Sequence, residues 1–133
     1  MKNKLLLILF PFLLITYGCK TAFDYYNNGS AKSKAGDFKG AIIDYTRVIE
    51  LEPKYMKAYY WRGNCKFKME DDIAAIFDFD KAIELDPANG DVYYMRGTAK
   101  SFLGNKAAAC IDWKKAVELG NTSAPSKITE NCK

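Results

Sequence analysis

From residue 22 almost to the end of the chain, apolar residues recur at three-to-four spacing, the period of one face of an α-helix. The set Ile73, Ile76, Phe77, Ala82, Ile83 and Leu85 predicts a helix over 72–85, preceded by a short turn and an earlier helix over 56–69. Pro53 closes the phrase IELEP and Pro87 the phrase IELDP, 34 residues further on, and each proline stops a helix. The same period runs through other columns. Tyr25, Tyr59 and Tyr93 fall in register, as do Gly29, Gly63 and Gly97, and Ala41, Ala75 and Ala109. An aromatic column, Tyr45, Phe79 and Trp113, and a leucine column, Leu51, Leu85 and Leu119, complete the pattern.

These columns cut the chain into residues 22–55, 56–89 and 90–123, each expected to be a helix-turn-helix unit. The pattern resembles the tetratricopeptide repeat, whose unit is an antiparallel helix pair with a glycine where the helices approach closely and a proline ending the second helix. The resemblance implies an all-α fold, a right-handed α-solenoid of three such units with a short C-terminal capping helix over 124–133. It also implies a non-catalytic protein-protein interaction module or scaffold.

One column bears on how units join. Asp44, Asp78 and Asp112 recur in the second helices, while Arg62 and Arg96 stand in first helices that follow an aspartate-bearing unit; the first unit has Asn28 there. Two inter-repeat pairs are expected, Asp44 with Arg62 and Asp78 with Arg96. The alternative is that each aspartate pairs along its own helix with Arg47, Lys81 or Lys115, three residues on.

The amino terminus reads as an address. Lys2 and Lys4 precede an apolar run over residues 5–15, interrupted only by Pro11, and small or polar residues follow before Cys19. This is the layout of a cleaved signal peptide over 1–18, since the run is too short to span a bilayer as a helix. Gly18-Cys19 resembles the lipobox of bacterial lipoproteins, although Thr16 stands where that family carries leucine. The resemblance implies lipidation at Cys19, with residues 19–21 as a linker and the protein anchored to a bacterial membrane facing the periplasm or exterior. Ordinary cleavage with an unmodified thiol is the other reading. At the far end, Thr122 or Ser123 is expected to cap the last helix, with Pro125 in its first turn. An oxidising compartment makes Cys110 and Cys132 candidates for a disulfide; reduced structural cysteines are expected if the chain stays inside.

Charge and composition narrow the chemistry. The formal charge of +4 falls by two when Lys2 and Lys4 leave with the signal segment, too little for a nucleic-acid footprint. There is no histidine, so the commonest general base and metal ligand are missing. The acidic residues Glu70, Asp71, Asp72, Asp78, Asp80 and Asp86 fit no calcium loop and read as solvated faces, and the cysteines lack the close pairs of a zinc site. No enzyme, cofactor or metal is expected.

What remains is surface. In the resembled family the first helices line a concave groove. Tyr26, Tyr60 and Tyr94 each follow a structural tyrosine by one residue and so project about 100° round the helix, toward that groove. Asn64, Phe67 and Phe102 are placed beside them, with Lys57 and Lys68 at the edges. Tyrosine offers wide contact with a polar tip, as binding hot spots do; packing between neighbouring first helices is the other reading. Some members clamp a terminal carboxylate with lysines and asparagines, but here tyrosines occupy the lysine positions and only Asn64 matches. The expected partner is a protein or peptide, with self-association open. A glycan- or cell-wall-binding accessory of an envelope machine is the alternative.

Overall fold

The computed structural model describes residues 18–133; the expected signal segment, Gly18 apart, lies outside them. Seven helices follow in order: α1 (Ala22–Lys34), α2 (Phe38–Leu51), α3 (Met56–Lys68), α4 (Asp72–Leu85), α5 (Gly90–Phe102), α6 (Lys106–Glu118) and α7 (Ala124–Asn131). Short turns fold α1–α2, α3–α4 and α5–α6 into antiparallel hairpins, successive hairpins meet through α2–α3 and α4–α5, and α7 lies on α6. The result is an all-α stack of helical hairpins. None of the described helices is long and apolar enough to cross a membrane.

Repeated local chemistry starts each second helix. Asp37, Asp71 and Asn105 occupy the same column, and their side chains accept from the backbone N–H groups of Gly40, Ala74 and Ala108. α1 opens with a reciprocal cap, in which Thr21 accepts from the Asp24 N–H and Asp24 accepts from that of Thr21. The last helix starts where expected, with Ser123 at the N-cap and Pro125 in the first turn, but neither Thr122 nor Ser123 caps it through a side chain. Asn121 does so instead, its Oδ1 accepting from the N–H groups of Ser123 (3.0 Å) and Ala124 (2.8 Å) while its Nδ2 donates to Asp91 (2.7 Å). The amide both starts α7 and ties it to α5. Cys110 and Cys132 form a disulfide that fastens the other end of α7 to α6.

Each hairpin closes where an aromatic ring of the second helix meets a glycine of the first. Tyr45, Phe79 and Trp113 are buried, and a Cβ added at Gly63 would stand 2.8 Å from the Phe79 ring, one at Gly97 2.9 Å from Trp113. Only glycine allows that approach, which offsets its poor helix propensity. The structural tyrosines join units: the Tyr59 hydroxyl donates to the Pro53 carbonyl (3.0 Å) and Tyr93 to that of Pro87 (3.2 Å). Each thus reaches back to the proline that ended the previous hairpin.

The aspartate column does not form the expected inter-repeat pairs. Arg62 makes a two-pronged pair with Asp78 (2.9 and 2.7 Å), not Asp44, and Arg96 with Asp112 (2.9 and 2.7 Å), not Asp78. Within a hairpin, residues 16 apart face each other across the two helices, so the guanidinium finds its own unit's carboxylate first. Its remaining nitrogen does cross to the previous unit, from Arg62 to Thr46 (3.1 Å) and from Arg96 to Asp80 (2.7 Å). The pairing along a single helix fails too, since Arg47, Lys81 and Lys115 bind Glu50, Glu84 and Glu118. Lys66 and Lys100 add a second cation to Asp78 and Asp112, whereas Lys32 alone serves Asp44 (2.7 Å). Burial works against the charge on Arg96, but the Asp112 and Asp80 carboxylates more than offset it and hold its pKa above the ordinary value.

Burial also shapes the response to alkali. It pushes up the Tyr45 phenol, with nearby Cys65 adding to the effect, and likewise raises Tyr26, Tyr60 and the Cys65 thiol. In the unfolded chain these groups ionise near 9.0 for cysteine and 10.0 for tyrosine, while the folded protein keeps them neutral. Their contribution to stability is therefore complete below pH 9 and lost as pH rises through and beyond 10. Urea unfolding at pH 7 and pH 11 should show a lower midpoint at the higher pH, with a smaller difference in Tyr45→Phe.

Candidate binding groove

The eight residues expected to bind a partner all lie on first helices: Tyr26 on α1; Lys57, Tyr60, Asn64, Phe67 and Lys68 on α3; Tyr94 and Phe102 on α5. At about 100° per residue, the five on α3 fall within an arc of about 100°. Tyr59 and Gly63, buried against α4, lie outside that arc on the core side. One strip of α3 is thus left over once packing is satisfied.

That strip is neither fully buried nor fully solvated. Tyr26, Tyr60 and Tyr94 are each half-buried. Tyr26 meets Tyr45 and Tyr55 edge-on, with centroids 5.8 and 5.5 Å apart, and Tyr60 meets Trp61 at 5.1 Å and Phe79 at 6.2 Å. Tyr94 packs against the cluster around Trp113 and Ala124. The tyrosines therefore pack between helices on one flank and keep the other open. Asn64 donates to the Tyr60 carbonyl one turn back (3.0 Å), which fixes its amide on the same strip. Lys57 and Lys68 are exposed, but 11 residues of helix separate them by about 16 Å, so they mark opposite ends and form no single cationic site.

The structure brings Phe67 and Phe102 together. Their rings meet edge to face with centroids 5.3 Å apart, joining the ends of α3 and α5, while Phe102 remains 72% exposed. They line a cleft of about 370 Å³ with Lys68, Glu70 and Asp72. By sequence the two carboxylates belong to a solvated face. The turn column gives the missed signal, since Glu70 stands where the neighbouring turns have Gly36 and Gly104. It has φ 63°, and it is the one non-glycine residue with positive φ among those described. Burial raises the Asp72 carboxyl above its ordinary value, and the charges of Glu70 and Asp71 add to the rise. Cys19 is exposed, three residues ahead of α1. Among the described residues no group of three or more potential ligands could hold a metal ion.

Family models described as tetratricopeptide repeat match residues 25–55, 57–89 and 79–111, which together cover most of the hairpin stack. The chain belongs to the tetratricopeptide repeat family. Among solved tetratricopeptide repeat domains it is similar to the second such domain of human RPAP3, determined in complex with the HSP70 peptide SGPTIEEVD. The TM-score is 0.80 at 28% identity, over 84% of this chain and 95% of that one. The first such domain of Spaghetti (RPAP3), bound to the HSP90 peptide SRMEEVD, gives 0.80 at 23% identity, over 84% and 90%, a likeness of fold alone. The crystal structure of MamA gives 0.73 at 30% identity over 79% of this chain, which spans 61% of that protein's length. No curated protein matches the chain. As a tetratricopeptide repeat protein, it carries an interaction-module fold.

Proposed function

We propose that the face formed by α1, α3 and α5 is a groove that binds an extended segment or a helix of a partner protein. The observation that carries this reading is the half-open tyrosine strip. Three rings are held by packing on one side and present large, rigid, amphipathic surface on the other, as binding hot spots do. The human RPAP3 domain, solved with a peptide bound, supports it. A terminal-carboxylate tail is disfavoured as the partner, because tyrosines stand at the lysine-type clamp positions and Asn64 alone matches. Cross-linking in cells should trap one partner or a few, and Tyr60→Ala should reduce that yield about tenfold, the loss expected of one hot-spot side chain. Equal capture by Tyr60→Ala would refute the groove.

The protein acts at a bacterial membrane, on this reading, after export and acylation of Cys19. Several acyl chains at about 0.8 kcal/mol per buried CH₂ hold a protein firmly in a bilayer. Mass spectrometry of the mature protein should find a terminus at Cys19 heavier by its acyl chains. An unmodified Cys19, or a terminus elsewhere, contradicts the anchor.

A further inference from the structure

The hairpin turns repeat in position but not in chemistry. The fold uses Asp71, like Asp37 and Asn105, to cap the second helix. It has no such use for Glu70 or Asp72, whose columns hold Gly36 and Phe38 in the first unit and Gly104 and Lys106 in the third. Glu70 even takes a backbone conformation that its two counterparts leave to glycine. Neither carboxylate has an ion-pair partner among the described residues. The two phenyl rings line the same cleft, Phe102 largely bare. Lys68, the one cation on the lining, leaves the rim net acidic.

Aromatic rings and unpaired carboxylates sharing one cleft suit a cation on an aliphatic stem. The rings attract the charge and cover the methylenes, and the carboxylates accept its N–H groups. We propose that this cleft is a side-chain pocket of the groove that receives an arginine or lysine of the bound segment, with the stem against Phe67 and Phe102 and the cation at Glu70 and Asp72. The proposal rests on the groove reading and names the chemistry of the partner at one end of it.

The test is selection from a random displayed-peptide library by the full-length protein in detergent. Selected peptides are then resynthesised with and without their basic residue and measured by fluorescence anisotropy. Peptides carrying arginine or lysine beside apolar residues should be enriched. Replacing that basic residue by alanine should weaken binding to the native protein about tenfold, and to the double variant Glu70→Gly/Asp72→Asn less than about twofold. Phe102→Ala should act in the same direction. Glu70→Gly by itself relieves the backbone, so its Tm should rise, separating lost affinity from lost fold. Peptides that lose binding with Tyr60→Ala but carry no basic residue overturn this inference alone. So does a basic preference indifferent to Glu70, Asp72 and Phe102. Failure to select any peptide, or binding indifferent to both Tyr60→Ala and the cleft variants, overturns the groove as well.

Discussion

Replacing Arg96 with leucine is expected to destabilise the protein by about 3 kcal/mol, measured by urea unfolding, because it strands a buried carboxylate. Asp112 is 2% exposed and takes both prongs of the guanidinium. Lys100 stays at 2.8 Å and supplies part of the lost attraction, which places the cost at the lower end of the range for breaking a buried pair. The Asp80 contact, half in solvent, contributes little. The second half of the cycle is the sharper check. Arg96→Leu with Asp112→Leu removes the stranded charge together with its partner, so the double variant should recover most of the loss. A double variant as unstable as the single one would mean that the pair holds the hairpin by shape and not by charge.

Removal of the Cys110–Cys132 disulfide, by reductant or by Cys132→Ser, should cost about 3 kcal/mol in the chain-entropy model for a loop of this length. Structure says where the loss appears. α7 is eight residues long, too short to persist alone, and three things hold it: the disulfide, the Asn121 cap, and packing of Ala124 and Ile128 on the Trp113 cluster. Without the disulfide, amide exchange should rise first in α7, then along α6, whose Ala116 would lose its cover. Melting with and without reductant should differ by roughly 10 °C, given the size of the domain. Unchanged exchange in α7 would show that packing alone secures the cap.

The 34-residue period made the helices legible, because the glycine that meets a ring recurs in all three units and a proline follows α2 and α4. The arginine column was legible as a recurrence and misassigned in space. The missing upstream aspartate suggests why the first unit lacks it, but the Arg62 side chain spans both units, fork to Asp78 and third nitrogen to Thr46. Sequence spacing alone does not say which of two carboxylates lies across the hairpin; the crossing of α3 and α4 does. Ser123 holds the expected N-cap position of α7 with Pro125 in the first turn, but the capping bonds come from Asn121, which acts from outside the helix on two N–H groups at once. The cleft was hidden for a different reason. Glu70 and Asp72 look like ordinary surface acids until the turn conformation shows that one occupies a glycine's place.

Partners are expected to meet the first-helix face and not the exposed second helices. A photo-reactive amino acid placed at Asn64, on the strip, can be compared in cells with one at Ile43 or Phe77, which stand exposed on second helices. The groove predicts a cross-linked partner from Asn64, weakened by Tyr60→Ala, and little from Ile43 or Phe77. Cross-links from Ile43 and Phe77 with none from Asn64 would contradict it.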